Sequence, residues 1–267
     1  MKVLIRRQLI QMAGTVSPKW LARQRVAQEL RQGEPELALL SLLADPARDF
    51  IDIGANNGVY AFHALGFFRK VVAVEAHPDL AAPLRRILGG QGDVRPCALS
   101  DHDGVAKLWV PRLNRRDVTT RSSLEEGANP GFTMRQVEVK LTSLDALALE
   151  APAVIKIDVE GHEFAVLNGA VETLRRHKPA CIVEVEERHN ANGVARAFAF
   201  FDGLGYRPYY LHRGKLCEGA EFDAARLQAA DHAKAFVSGR SDDYVNNFLF
   251  FHPDNAAALD AVRAGLH

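Results

Sequence analysis

Cysteine is scarce and poorly placed for cross-linking. Cys97, Cys181 and Cys217 are odd in number and far apart, and no C-x-x-C occurs. That excludes a disulfide framework and a zinc ribbon. Cys97 and Cys181 lie in apolar runs and read as small buried hydrophobes. No apolar run reaches the roughly 18–20 residues of a membrane span. Met1 to Arg7 is basic and partly apolar but has no sustained hydrophobic region, so no signal peptide is read and a cytoplasmic setting is the expectation. A surplus of one charge is missing as well: the formal net charge is zero, which argues against a globally basic nucleic-acid binder. What remains is ordinary for a folded chain. With 267 residues, 48% hydrophobic and 25% charged, it suits one large α/β domain with an appendage.

The stretch that organises the rest is Phe50 to Gly58, F-I-D-I-G-A-N-N-G. Phe50, Ile51 and Ile53 suit a buried strand, Asp52 is a carboxylate inside that apolar run, and Gly54 and Gly58 flank a sharp turn. Val59 to Phe68 then reads as a helix. Strand, glycine turn and helix form the front of a nucleotide-binding βα unit.

Around it, residues 1–48 read as a helical N-terminal extension with no strand signal. It is basic at its start, with Lys2, Arg6, Arg7, Lys19, Arg23, Arg25 and Arg31 against Glu29, and is expected to cap the main domain. Residues 49–255 alternate strand and helix. Strands are expected at Val71–Glu75, Val94–Leu99, Ala153–Asp158, Ala180–Val185, Tyr206–Leu211 and Val245–Phe251. Helices are expected from Pro78 to Gly89, over Phe164–Arg176 and over Val194–Leu204. Two insertions, 104–136 and 212–244, break the rhythm, the first as a hairpin of Val105–Val110 and Val137–Leu141 with a long polar loop. Residues 256–267 read as a tail. The alternation implies a parallel sheet with helices on both faces. Ligands in such sheets sit at the C-terminal ends of the strands, where Asp52, Glu75, Ser100, Asp101, Asp158 to Glu163 and Glu184 all fall.

A nicotinamide dinucleotide needs G-x-G-x-x-G after the first strand. Here the middle glycine is Asn56 and the third is Val59, so that fingerprint fails. S-adenosylmethionine (SAM) has no phosphates and needs polar groups at the glycine turn and an acceptor for its ribose diol. Glu75 ends the second strand 21 residues after Gly54, and Ala98 to Asp101 are placed to meet an adenine. The pattern fits a class I SAM-dependent methyltransferase with a Rossmann-like fold. Its cofactor-binding residues are read as Asp52, Gly54, Ala55, Asn56, Gly58, Glu75, Ala98, Ser100 and Asp101.

Five segments carry a resemblance to a known family: F-I-D-I-G-A-N-N-G-V-Y, V-V-A-V-E-A-H-P, A-L-S-D, Ser122-Ser123-Leu124 and V-I-K-I-D-V-E-G-H-E. Over about residues 50–190 the chain resembles the FkbM methyltransferases. The resemblance implies a seven-stranded, mostly parallel sheet with an antiparallel last strand. It also implies SAM as cofactor and methylation of a hydroxyl oxygen on a sugar, glycan or secondary metabolite. The expected partner is then a small-molecule or glycan acceptor, with self-association left open.

A hydroxyl nucleophile must lose its proton. Histidine is the residue type that changes charge near neutral pH, so His162 suits that base; Asp158 and Glu160 are the alternatives. Asp158, Glu160, His162 and Glu184 also carry metal-ligand atoms, but no spacing demands an ion and none is expected. Arg112, Arg115, Arg116 and Arg121 give the long loop a positive face that suits an anionic acceptor or plain solvation. The rival readings are an NAD(P)-dependent oxidoreductase and a SAM-binding scaffold without catalysis.

Overall fold

The computed structural model describes residues 17–114, 116–229 and 244–266. Lys2, Arg6, Arg7 and Arg115 lie outside the described residues, as do residues 230–243 of the second insertion.

The described chain opens with helices α1 (Pro18–Gln32) and α2 (Glu36–Leu42). Proline stands at the start of each, where a missing N–H costs nothing. The first strand, β1 (Asp45–Ile53), begins at Asp45, so the helical extension stops short of residue 48. It is followed by α3 (Val59–Ala64), β2 (Phe68–Val74), α4 (Pro78–Leu88) and β3 (Gly92–Arg95). Helix α4 runs unbroken through Pro83. The stretch read as a single strand over 94–99 is two. Pro96 has no N–H for a ladder, so β3 stops at Arg95 in the main sheet. Ala98–Leu99 (β4) then pairs with Leu141 and Thr142 in a second sheet.

The first insertion builds that second sheet from β5 (Gly104–Leu113), β6 (Arg116–Asp117) and β7 (Thr133–Thr142), with order β4-β7-β5-β6. Strand β8 (Pro152–Ile157) returns to the main sheet. The helix expected over 164–176 is broken into α5 (Glu163–Asn168) and α6 (Val171–His177). At the break, a Cβ on Gly169 would lie 2.1 Å from the Ser100 carbonyl oxygen. Strand β9 (Ala180–Glu184), helix α7 (Gly193–Asp202), β10 (Arg207–His212), β11 (Lys215–Glu218), the single turn α8 (Ala224–Leu227) and β12 (Asn247–Phe251) follow. The expected tail is instead a helix, α9 (Ala256–Gly265), which buries Val262 and packs Gly265 against Leu42.

The main sheet has order β11-β10-β12-β9-β8-β1-β2-β3. Seven strands match the expected arrangement, with β12 antiparallel between β9 and β10; β11 adds an eighth as an antiparallel edge. Central strands are buried on both faces, so they read as continuous apolar runs. Phe50 faces a core with Leu37, Leu40, Ala61 and Leu84. Its neighbours Ile51 and Ile53 face the opposite core with Ile155, Val166, Leu167 and Phe201. Strand β1 pairs with β2 on one side and β8 on the other. The chain order reverses there, which opens a crevice beyond the carboxyl ends of β1 and β8.

Candidate active site

The turn after β1 is shaped by close approach. Gly54 has φ +82°, and a Cβ there would lie 1.8 Å from the Asp158 carbonyl oxygen. Only glycine allows the β1 and β8 turns to touch. Gly58, at φ +74°, starts α3; its Cβ would strike Leu84 at 2.6 Å. Gly58 therefore serves helix packing and does not line the crevice.

The crevice is a cavity of about 650 Å³. Its wall includes Asp52, Gly54, Ala55, Asn56, Glu75, Ala98, Asp158, Glu160 and His162. The structure brings these sequence-predicted residues together. Ser100 sits behind the wall, buried, and Asp101 points away, half exposed and paired with His102 at 2.6 Å. The break at Pro96 accounts for both: β4 leaves the main sheet, so the residues after it turn from the crevice.

Glu75, at the end of β2, accepts the Asn56 N–H and the His77 N–H, each at 2.6 Å. A carboxylate has about four acceptor positions, so both oxygens retain lone pairs for a further ligand. Burial pushes Glu75 up from the usual carboxylate range. Asp52 accepts the Ala61 N–H at 3.0 Å and so ties β1 to the first turn of α3. Burial raises Asp52 to about 7, with Lys156 pulling down and Asp158 pushing up.

Lys156 lies in the otherwise apolar β8 and is 2% exposed. Its Nζ donates to Asp158 Oδ2 at 2.8 Å and stands 4.6 Å over the Tyr60 ring. Burial opposes its charge, but Asp158, Glu34, Asp52 and Glu184 outweigh burial and hold the ammonium firmly protonated. Glu34, contributed by the link between α1 and α2, accepts the Tyr60 hydroxyl at 2.6 Å. The N-terminal extension is thus part of the site. Burial pushes Glu34 up and Glu184 well up, the latter with help from Asp158 and Glu160. Asn246, just before β12, donates to Glu184 at 2.8 Å.

The turn after β8 is held from several sides. Glu160 has φ +50° and Gly161 +104°. A non-glycine residue in the left-handed region stores strain and is characteristic of sites. Ser123 donates to the Glu160 carbonyl at 2.6 Å and accepts the Glu125 N–H at 3.0 Å, which clamps the long loop over the turn. Glu163 accepts the Gly161 N–H at 2.7 Å, and burial raises it to about 7. Glu160 Oε2 stands 3.5 Å from both Arg188 and His189, yet has no hydrogen bond among the described residues; burial, then Asp158, push its pKa up.

His162 caps α5 and meets Glu125 and Ser100. Its Nδ1 is 2.7 Å from Glu125 Oε1 and its Nε2 is 3.1 Å from Ser100 Oγ. With Nδ1–H donated to Glu125, Nε2 is left as an acceptor, a tautomer assigned from this network. An imidazole oriented by a carboxylate is built to take a proton.

Sequence reasoning missed Glu34, Tyr60, Lys156 and Tyr244, all of which line the cavity. Lys156 had a signal of the same kind as Asp52, a charge inside an apolar strand. Arg112 and Arg121 part company: Arg112 pairs with Asp117 at 3.2 Å, while Arg121 lines the cavity. Among the described residues, the grouping suited to a metal is His77, Asp79 and Asp117. It lies apart from Asp158, Glu160, His162 and Glu184, and Arg135 already holds its two carboxylates at 3.3 and 2.6 Å.

A family model described as the methyltransferase FkbM domain matches residues 52–208. Among solved structures, the chain is similar to methyltransferase FkbM from Methylobacillus flagellatus KT, with 15% identity and a TM-score of 0.50 over 78% of this chain. It spans 44% of that protein's chain. Weaker likenesses include an O-methyltransferase from Bacillus cereus in complex with SAH, at 14% identity and TM-score 0.46 over 91% and 96% of the two chains. Precorrin-6y C5,15-methyltransferase from Geobacter metallireducens GS-15 gives 13% and 0.42 over 80% and 86%. These identities speak for the fold alone. No curated protein matches the sequence. No helix among the described residues is long and apolar enough to cross a membrane.

Proposed function

The chain belongs to the FkbM methyltransferase family, and from that premise we propose that it transfers a methyl group from SAM to a hydroxyl oxygen of a sugar, glycan or secondary-metabolite acceptor. The observation that carries this reading is the charge of the cavity. Its carboxylates outnumber its cations, Arg121, Lys156 and Arg188, and Asp52, Glu34, Glu160 and Glu184 are all pushed towards protonation. Such a wall favours a ligand with positive charge. SAM carries a sulfonium and an ammonium against one carboxylate. A dinucleotide brings a pyrophosphate, whose negative charge opposes ionisation of these acids. The charge of the wall and the missing glycine fingerprint both weigh against the oxidoreductase reading.

SAM supplies an activated methyl with a neutral leaving group, so the protein's work is alignment, proton removal and exclusion of water. Glu75 would hold the ribose hydroxyls with its remaining lone pairs. Gly54 to Asn56 would hold the amino-acid portion. Lys156 fixes the Asp158 carboxylate at the edge of the crevice. His162, oriented through Nδ1 by Glu125, takes the acceptor's proton at Nε2 once the acceptor hydroxyl replaces the Ser100 hydroxyl there, and the Ser123 clamp holds the long loop across the turn.

Transfer of labelled methyl from SAM to a panel of hydroxylated acceptors tests the reading. Turnover in His162→Ala should fall by at least about 10²-fold, the usual share of a general base, with SAM affinity kept. Full turnover in that variant removes His162 from the role. SAM binding without transfer to any hydroxyl would favour the scaffold reading.

A further inference from the structure

A second cavity of about 430 Å³ adjoins the first, and the two share His162 and Arg188 in their walls. Its chemistry is the reverse of its neighbour's. Arg188, Arg196, His189 and Asn190 line the wall, its carboxylate, Glu125, is committed to His162, and Asn190 Nδ2 already donates to the Gly161 carbonyl at 2.9 Å. Arg188 is likewise engaged, with Glu186 at 2.7 and 2.5 Å. Arg196 is different. It projects from α7 with its guanidinium 3.9 Å over the Phe164 ring, and it has no carboxylate partner among the described residues.

His189 stands in the same wall with its side chain 5% exposed, and its Nε2 faces Glu160 Oε2 at 3.5 Å. That leaves Arg196 as the donor in this wall whose partner is an aromatic face. A guanidinium stacked on an aromatic ring keeps its planar fork free for a carboxylate or phosphate.

Resting on the methyltransferase reading above, we propose that this cavity binds an anionic group of the acceptor, a carboxylate or a phosphate ester, on Arg196. The hydroxyl to be methylated then lies at His162, on the seam between the cavities. The acid-walled cavity takes the cationic donor, the donor-walled cavity takes the anionic end of the acceptor, and the two ligands bind side by side without mutual repulsion.

The test is an NMR titration of the SAH-saturated protein with glucose 6-phosphate, glucuronate and glucose as probes. Wild type should bind at least one anionic probe about tenfold or more tightly than glucose, as charge-assisted hydrogen bonds imply. The tighter of the two distinguishes phosphate from carboxylate. Arg196 is on the exposed side of its helix, so Arg196→Gln should fold normally and keep SAM affinity while losing the anion preference. Arg196→Lys should keep most of it. Equal binding of glucose, or a preference that survives Arg196→Gln, overturns the proposal. Loss of SAM and SAH binding in the wild type would instead defeat the donor reading, and the anion preference, titrated on the protein alone, would still decide the role of Arg196.

Discussion

Replacing Lys156 by Met keeps the buried apolar stem and deletes the charge. In wild type the ammonium donates to Asp158 at 2.8 Å and faces Glu34, Asp52 and Glu184. Removing one partner of a buried ionic cluster costs about 3–5 kcal/mol when the remaining charges stay ionised. They need not stay ionised, because each pKa unit is worth about 1.4 kcal/mol and Asp52 already titrates near 7. Loss of Lys156 raises these folded-state pKa values further. The folded protein then binds more protons than the unfolded chain, so stability falls as pH rises above the ordinary carboxylate values. At pH 5.5 the variant's acids take up protons and the loss should be about 1–2 kcal/mol; at pH 8 it should approach about 3–5 kcal/mol. Urea unfolding of both proteins at the two pH values measures this. The same loss at both pH values, or less than about 1 kcal/mol at pH 8, refutes the charge network as described.

Two further substitutions probe the crevice. Glu75→Ala should weaken SAM binding by about 1–3 kcal/mol; it also frees the Asn56 and His77 N–H groups, so a fall in thermal stability should accompany it, and unchanged affinity removes Glu75 from the site. Gly54→Ala places a Cβ 1.8 Å from a backbone oxygen at φ +82°. Strain alone is of order 1–3 kcal/mol, so a stable variant with normal SAM affinity in calorimetry would contradict the contact between the two turns.

The sequence made legible what is local along the chain. Phe50 to Gly58 shows its strand, turn and helix in nine consecutive residues, and Asp52 stands out in an apolar run. Glu75 is found by counting along one βα unit. The Asp158–Glu163 block likewise follows a buried strand directly. The wall that comes from elsewhere was not legible: Glu34 arrives from the N-terminal helices, Tyr244 and Asn246 from beside the last strand, and nothing near them in sequence marks their direction. Lys156 was legible in principle, as a lone charge in Ala153–Ile157, but its four acidic neighbours exist only in the fold. Ser100 and Asp101 show the opposite failure. They follow a strand correctly recognised as apolar, but Pro96 divides that strand between two sheets, and the residues after it leave the crevice.

The central claim is that the acid-walled crevice holds a cationic methyl donor. Calorimetric titration of the protein at neutral pH with SAM and, separately, with NAD tests it most directly. SAM should bind saturably, one to one, with net release of protons to the buffer as carboxylates raised in the free cavity ionise against the bound cation, and NAD should not bind. Binding of NAD, or failure to bind SAM, would contradict it.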